Sequence, residues 1–331
     1  MPAPTRDVIA IGNAVVDVIA ASDDSTIERL GLNRGGMTLV DEDRARELYA
    51  AMGPGREVSG GSAANTLAGL ATLGLDCAFI GQVADDQLGE VFAHDIRATG
   101  IHFDTPARGG DPATGRVLIF VTPDGERTMN TFLGASQFLP AEALDEELIA
   151  SARLLYLEGY LWDPEEPRRA MRRAIEVARA AGRQVAFTAS ESFVIERHGE
   201  DFRALIADGL IDVLFVNESE LATLTGEAAF DDGLAALAGK VPTLVATRGA
   251  AGAVAVRGAE RCEIPAEPGI KVVDTTGAGD QFAAGFLSGY LRDETLESCL
   301  KRGNIAAAEV IAHYGPRPEA DMQMLMAEKL V

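Results

Sequence analysis

Basic residues are scarce in this chain. Its 331 residues include 29 Lys and Arg against 51 Asp and Glu, which gives a formal net charge of −22. A surface of this sign repels nucleic acid and anionic membranes, because binding to phosphates depends on clustered Lys and Arg. We therefore expect neither as a partner. An anionic ligand would need a locally positive site, and backbone amides can supply one.

Cysteine is rare as well, and Cys77, Cys262 and Cys299 lie far apart without a CxxC pair. This number and spacing argue against a disulfide framework or a zinc site and fit a reducing compartment. No run of about 18 apolar residues occurs, and the opening MPAPTRDVIAIG lacks the pattern of a signal peptide. The sequence therefore predicts a soluble, cytoplasmic protein.

The common nucleotide-binding motifs are also missing. The chain has no GxxxxGK(S/T), no pair of HRD and DFG, and no GxGxxG after a strand. These absences exclude a P-loop enzyme and a protein kinase, and they disfavour a dinucleotide-binding fold.

Short apolar runs alternate with amphipathic stretches along most of the chain. Runs such as 7–12, 77–83 and 211–217 are typical of buried strands, and stretches that end on glycine, such as 87–100 and 167–182, are typical of helices. Continuous Val, Ile and Leu runs between helices predict an α/β fold with a parallel sheet covered on both faces. Ligands are then expected at the carboxyl ends of the strands.

Two regions break this alternation. Residues 13–40 contain two short apolar runs, and residues 114–133 contain two alternating runs around Pro123-Asp124-Gly125, which is a hairpin signal. These four strands predict a small β-sheet that projects from the main sheet and covers a site. The predicted division is a large α/β domain of residues 1–12, 41–108 and 136–331 and a lid of residues 13–40 and 109–135.

Polar residues interrupt the apolar pattern at two places near the N-terminus. Asn13 and Asp17 point to one face if their segment is extended, which suits binding to hydroxyl groups. The alternative is a turn residue and one exposed strand carboxylate. Further on, Gly60-Gly61 permits close backbone approach, Ser62 can cap the next helix, and Asn65 falls in its first turn. A simple loop and cap explains this stretch equally well.

Two later segments also allow two interpretations each. Asn217 and Glu220 follow a strand directly, and they are either a capping box or oxygen ligands for Mg²⁺ held through water. Arg248 and Gly249 stand between two strand-like runs, where they either meet a phosphate or form an ordinary hairpin turn.

The stretch VVDTTGAGDQFAAGF, residues 272–286, carries the clearest chemistry. A strand is predicted to run into Thr275, and the glycines then place bare N–H groups at a helix N-terminus, which attracts anions. Asp280 stands beside that anion site. A carboxylate there repels phosphate, so binding alone makes poor sense, whereas a base for a hydroxyl that attacks phosphorus fits.

Three motifs in order along the chain carry a family resemblance. DTTGAGD at 274–280, with GGSAAN at 60–65 and NESE at 217–220, resembles the PfkB/ribokinase family of carbohydrate and nucleoside kinases. GNAVVDV, the spacing of GGSAANT and GERTMNTFLGAS at 125–136 resemble its adenosine kinase branch. The resemblance implies a ribokinase-like three-layer α/β/α fold with a mostly parallel central sheet and a small β-sheet lid.

The resemblance also implies a reaction, the transfer of phosphate from ATP to the 5′-hydroxyl of adenosine. Asp280 would be the catalytic base. The amides of Gly277, Ala278 and Gly279 would form the anion hole, and Arg127 would lie near the transferred phosphate.

Binding residues follow by the same resemblance. Ribose hydroxyls would be held by Asp17, Gly61 and Asn65, with Asn13 beside them. Apolar contacts would come from Met37, Met129 and Leu133 of the lid, and from the segment of Tyr160, Leu161 and Trp162, where the residue that stacks on the base stays open.

Cofactor sites are implied in the second half of the chain. Asn217 and Glu220 match the motif that organises Mg²⁺, through water, and the ATP phosphates. ATP would further meet Gly277 and Gly279 and the positions Thr247, Arg248, Gly249 and Asn304. Asp274 and Thr276 resemble backbone ligands of a monovalent cation, commonly potassium.

Two other functions stay open beside adenosine phosphorylation. One is a kinase of a free sugar or of another ribonucleoside, and the other is a relative that binds ligand without catalysis. The retained Asp280, Asn217 and Glu220 argue against the latter. The sequence leaves monomer and homodimer equally open.

Overall fold

A computed structural model describes residues 3–330. In chain order its strands are β1 Arg6–Ile11, β2 Val15–Ala21, β3 Met37–Leu39, β4 Gly55–Gly60, β5 Cys77–Ile80, β6 Gly115–Val121, β7 Arg127–Phe132, β8 Ala152–Glu158, β9 Gln184–Thr188, β10 Val213–Asn217, β11 Thr243–Thr247, β12 Ala253–Arg257 and β13 Glu260–Ile264.

The helices lie mostly between these strands. They are α1 Asp24–Arg29, α2 Glu42–Ala51, α3 Ser62–Thr72, α4 Gln87–Ala98, α5 Glu146–Ser151, α6 Glu165–Ala180, α7 Ser192–Ala207, α8 Glu218–Thr225, α9 Phe230–Leu237, α10 Ala278–Tyr290, α11 Leu296–Val310 and α12 Met322–Lys329, with short 3₁₀ turns at Gly134–Gln137, Ala141–Ala143, Gly159–Trp162 and Gly249–Ala251. Within residues 3–330, none of the helices combines the length and the apolar character needed to cross a membrane.

The larger sheet has eight strands in the order β13-β12-β11-β10-β9-β8-β1-β5. Its pairs are parallel from β5 to β11, and β12 and β13 are added antiparallel. Alternate residues of β1 enter different cores: Val8 and Ala10 pack on one face, and Ile9 and Ile11 pack on the other. This two-sided burial confirms the predicted α/β fold, because a parallel sheet needs apolar cover on both faces.

The smaller sheet has five strands in the order β3-β7-β6-β2-β4, so it has one strand more than predicted. The additional strand, Gly55–Gly60, pairs antiparallel with β2 and lies in the range that the predicted division gave to the large domain. Its sequence GREVSG carries a single large apolar residue and a glycine at each end, so the alternation that marks a strand is absent.

The segment before the glycine-rich motif is not the strand that the sequence predicted. Val273 and Asp274 donate their N–H groups to the carbonyl oxygen of Ile311, at 2.8 and 3.3 Å, and join no sheet. The loop after α11 therefore supports this segment, which a local sequence pattern does not reveal.

Candidate active site

A cavity of about 510 Å³ is lined by residues of both sheets. On the large domain its wall includes the last residues of four neighbouring parallel strands, namely Glu158, Thr188, Asn217 and Thr247. This position at the carboxyl edge of the sheet is the one expected for ligand binding in an open α/β fold.

Asp280 lies in the first turn of α10 and faces this cavity. Its carboxylate accepts hydrogen bonds from Ser62 Oγ at 2.6 Å and from Asn65 Nδ2 at 3.4 Å. Burial raises the pKa of Asp280 to about 6, and the nearby charge of Asp17 adds to the rise. The sequence suggested Ser62 as a helix cap, but Gly61 occupies the cap position of α3, so the hydroxyl is free to bind Asp280.

The N-terminus of α10 begins with Gly277 in a left-handed conformation, φ 75°, and has no side-chain cap. A Cβ at Gly277 would lie 2.6 Å from Pro316 Cβ, so this position needs glycine. The N–H of Ala278 donates to the carbonyl oxygen of Thr275 at 3.2 Å and is not the bare amide that the sequence predicted. Gly279 follows in the first turn, where N–H groups have no carbonyl one turn earlier to bind.

Asp17 is buried at the other side of the cavity, next to Gly60. A Cβ on Gly60 would lie 2.5 Å from Asp17 Oδ1, so the bare glycine makes room for the carboxylate. Burial raises the pKa of Asp17 to about 6, against the opposing charges of Arg317 and Arg127. The buried carboxylate of Asp17 and the partly buried carboxylate of Asp280 thus interact within one cavity.

Glu158 is a buried cavity residue that sequence reasoning missed. Its Oε1 accepts from the N and Nδ2 atoms of Asn13, both at 2.7 Å, and its Oε2 accepts from the N atom of Ala63 at 2.8 Å. Burial raises the pKa of Glu158 to about 7, although these hydrogen bonds oppose the rise. A glutamate at the end of the apolar run ARLLYLE was the signal available in the sequence.

Asn13 lines the cavity, but it precedes β2 and therefore does not share a face of that strand with Asp17. Its Oδ1 accepts a hydrogen bond from Ser136 Oγ at 2.8 Å, so both ends of the carboxamide are fixed. Gly61, with φ 103°, passes over Asn13: a Cβ there would lie 2.1 Å from the Asn13 carbonyl oxygen. Close backbone approach therefore explains this glycine.

Asn217 and Glu220 form the capping box that was one of the two interpretations, and both also line the cavity. Asn217 Nδ2 donates to Glu220 Oε1 at 2.6 Å, and Asn217 N donates to Oε2 at 3.0 Å. Burial raises the pKa of Glu220 to about 7. Since both carboxylate oxygens already accept from Asn217, contact with a cation through water suits this pair better than direct ligation.

The apolar part of the cavity comes from segments of both sheets. Met37 and Met129 of the smaller sheet and Leu133 after β7 line it, and Tyr160 lines it from the turn after β8. Phe193, which the sequence did not single out, joins Tyr160 with 6.3 Å between ring centroids.

The candidates beside Tyr160 lie elsewhere. Leu161 and Trp162 are fully buried in the core and are not among the cavity-lining residues, and Trp162 Nε1 donates to Asp201 at 2.9 Å. Because Leu161 packs in the apolar core, it does not line the cavity in which it was predicted to contact the substrate.

Five other predicted residues are also absent from the cavity wall, namely Arg127, Asp274, Arg248, Gly249 and Asn304. Arg127 forms a buried ion pair with Asp274, which satisfies two charges that would otherwise be unpaired. Arg248 lies over the ring of Phe230 at 4.1 Å. Asn304 Nδ2 donates to the carbonyl oxygen of Pro265 at 2.7 Å, and Gly249 begins a 3₁₀ turn.

Three comparisons relate this chain to known proteins. A family model described as pfkB family carbohydrate kinase matches residues 5–322. The solved structure of adenosine kinase from Sinorhizobium meliloti is 48% identical, with a TM-score of 0.90, over 98% of this chain and 99% of that one. A probable sugar kinase from Rhizobium etli CFN 42 is 42% identical, with a TM-score of 0.91, over 98% of both chains. Fructokinase from Klebsiella pneumoniae is 31% identical over 243 residues, which are 72% of this chain and 79% of that protein.

The fold, the cavity and these similarities together define a small-molecule kinase. The chain belongs to the pfkB family of carbohydrate kinases, which confirms the resemblance seen in its motifs. Its similarity to the S. meliloti protein supports the adenosine-kinase-like branch of that family.

Proposed function

We propose that this kinase transfers the γ-phosphoryl group of ATP to the 5′-hydroxyl of adenosine and yields AMP and ADP. The observation that carries the proposal is one cavity in which Asp280, at the N-terminus of α10, is combined with an apolar wall that includes Tyr160 and Phe193. The first part suits phosphotransfer and the second suits a purine. An adenosine kinase that is 48% identical over 98% of this chain supports the same substrate.

Asp280 acts as the general base in this proposal. With a pKa of about 6 it is ionised at neutral pH and still basic enough to accept a proton from a hydroxyl. The hydroxyl oxygen forms a bond to the γ-phosphorus, its proton passes to Asp280, and the bond to the β-phosphate oxygen breaks to release ADP. Ser62 and Asn65 hold the carboxylate in place for this transfer.

The amides at the start of α10 stabilise the charge of the migrating group. Gly277 and Gly279 leave these donors without a covering side chain, and the helix dipole has its positive end there. Mg²⁺, when bound with ATP, would neutralise phosphate charge, and the Asn217–Glu220 pair is placed to hold its water ligands. Thr247, at the end of β11, faces the same cavity for ATP binding.

A potassium site near Asp274 and Thr276 remains a part of the proposal. The carboxylate of Asp274 accepts from the N atoms of Thr276 and Gly315, both at 3.0 Å. These bonds hold the 274–276 turn in a fixed shape, as backbone ligands of a cation require.

The base of the nucleoside would lie against Tyr160 and Phe193 and under the lid. Met37 and Leu39 of β3 face the cavity although 42% and 52% of their surfaces are exposed. A bound purine would cover part of this apolar surface, and a covered site would keep water away from the phosphoryl group.

A free sugar or another ribonucleoside is the second candidate acceptor. Asn13, Asp17 and Glu158 give the cavity a polar end that suits any ligand rich in hydroxyl groups. Similarity to a fructokinase and to a probable sugar kinase favours this candidate.

A panel of acceptors with ATP separates the two candidates. ADP release would be measured with adenosine, inosine, guanosine, ribose and fructose at matched concentrations. We expect a higher kcat/KM with nucleosides than with free sugars, because a purine extends to the apolar wall, and the highest value with adenosine, in line with the 48% identical adenosine kinase. A strong preference for fructose, ribose, inosine or guanosine would overturn the proposal. Tyr160→Ala sharpens the test, since it should weaken the binding of nucleosides and leave the binding of a free sugar unaffected.

A further inference from the structure

One buried guanidinium joins three elements around the cavity and has no part in the proposed chemistry so far. Arg317 lies in the loop between α11 and α12, and 18% of its side chain is exposed. Its Nη1 donates to Asp95 Oδ2 on α4 at 3.1 Å, its Nη2 to Ser59 Oγ on β4 at 2.8 Å, and its Nε to Asn65 Oδ1 on α3 at 3.4 Å.

These bonds form a closed ring. Ser59 donates to Asp95 Oδ2 through its N atom at 2.8 Å and through its Oγ at 2.6 Å, while the same Oγ accepts from Arg317. Ser59 belongs to the smaller sheet, and the chain passes from it through Gly60-Gly61 into α3. Arg317 therefore holds the chain on both sides of two glycines that have little stiffness of their own.

The bond to Asn65 has a chemical direction. Asn65 Oδ1 accepts from the guanidinium, so Asn65 Nδ2 is turned toward Asp280 Oδ2. Rotating the carboxamide by half a turn would place its NH₂ against the Arg317 donor and its oxygen against the Asp280 carboxylate. Both contacts would be repulsive, since an amide oxygen only accepts and a guanidinium only donates.

We propose that Arg317 is a positioning residue that fixes the Asn65 carboxamide with its N–H groups toward Asp280 and the acceptor hydroxyl. The inference rests on the proposed function in placing that hydroxyl beside Asp280. Arg317 has no contact with the hydroxyl in this scheme and acts through Asn65.

A double-mutant cycle tests the proposal. Arg317→Met, Asn65→Ala and the double variant would be compared by kcat and by KM for both substrates, with the acceptor that the panel shows to be best. We expect Arg317→Met to raise the acceptor KM about tenfold, the size of one lost charge-assisted hydrogen bond. The KM for ATP should change little. In the Asn65→Ala background the same substitution should add almost nothing, because residues that act through one another are not additive.

Arg302→Met is the matched control. Its side chain is 16% exposed and binds Glu294 through Nε and Nη2, both at 2.7 Å, away from the cavity. We expect it to lower thermal stability without a change in acceptor KM. An equal rise of acceptor KM in the control, or a full effect of Arg317→Met on top of Asn65→Ala, would overturn the proposal.

Arg317→Lys covers the case in which the methionine variant does not fold. A lysine keeps the positive charge next to Asp95. Its ammonium group lacks the planar guanidinium geometry that lets Arg317 donate to Asp95, Ser59 and Asn65 at once. We expect a raised acceptor KM in this variant too, and a wild-type value would refute the positioning role. Because the cycle uses whichever acceptor turns over best, failure of adenosine as the substrate leaves this test intact.

Discussion

Two helices at the cavity begin after a glycine with positive φ, and only one of them has its N-terminus occupied by a carboxylate from elsewhere in the chain. α3 starts after Gly61 with φ 103° and α10 after Gly277 with φ 75°, and neither has a side-chain cap. At α3, Glu158 Oε2 accepts from the N atom of Ala63 at 2.8 Å.

The comparison separates two uses of one local structure. Both helix ends carry partial positive charge. Glu158 satisfies that charge at α3, so this end supports the polar wall of the cavity. At α10 the carboxylate of Asp280 is bound by side chains of α3 instead. The N–H of Ala278 binds Thr275, and the other first-turn amides of α10 are left for the proposed anion.

The largest effect is expected from Asp280→Asn, which removes the proposed base at the open helix end and keeps the shape of the side chain. General base catalysis contributes about 10²–10⁴-fold, so kcat should fall by that order. Adenosine binding, measured by calorimetry without ATP, should stay close to wild type. Near-normal turnover in this variant would rule out Asp280 as the base.

Alanine substitutions of the two glycines at the start of α10 should have different effects on stability. A methyl group on Gly277 collides with Pro316 and is strained by its positive φ, so Gly277→Ala should cost about 1–3 kcal/mol of unfolding free energy. Gly279 has no neighbour within 4 Å of an added Cβ, so Gly279→Ala should unfold at the wild-type urea midpoint. Its methyl group would still lie at the proposed anion site, and we expect a lower kcat/KM for ATP. A stable Gly279→Ala enzyme with normal ATP kinetics would show that this amide is not used.

At the occupied helix end, Glu158→Gln should raise the acceptor KM. The amide keeps one oxygen acceptor, but its NH₂ opposes an N–H donor of Asn13 or Ala63, and one such unsatisfied group costs about 1–3 kcal/mol. We expect about a tenfold rise in acceptor KM, with a much smaller change for ATP. Glu297→Gln on the exposed face of α11 is the control and should leave both values unchanged.

The smallest effect is a pH dependence set by the carboxylates of the cavity. Asp280 must be ionised to accept a proton, and its pKa is raised to about 6. The kcat/KM should therefore fall as the pH drops through about 6, with Asp17, whose pKa is also about 6, steepening the limb. A profile that stays flat down to pH 5 would contradict ionisation of Asp280 as the controlling step.

What the sequence predicted well depends on short-range pattern. The strands of the large sheet other than β13, ERCEI, follow from apolar runs, and the α10 start follows from glycine and aspartate within one heptapeptide. Both patterns are local, so they can be recognised without knowledge of the rest of the fold.

What the sequence missed depends on contacts between distant segments. Glu158 is 145 residues from Asn13, and Arg317 is 252 residues from Asn65. β4 lacks the apolar alternation of a typical strand, so only its pairing with β2 identifies it as a strand. Arg127 carried a motif signal, yet its buried pairing with Asp274 was not visible in that motif.

The strand order of the large sheet also sets an order for synthesis. Each strand from β9 to β13 pairs with the one made just before it, so the sheet can extend outward as the chain leaves the ribosome. The segment with Asp280 follows β13 and needs α3, made much earlier, to complete its contacts. A nascent chain that stops after β13 would thus carry all the strands described here and lack Asp280. The residue proposed as the base is therefore added only after the sheet is complete.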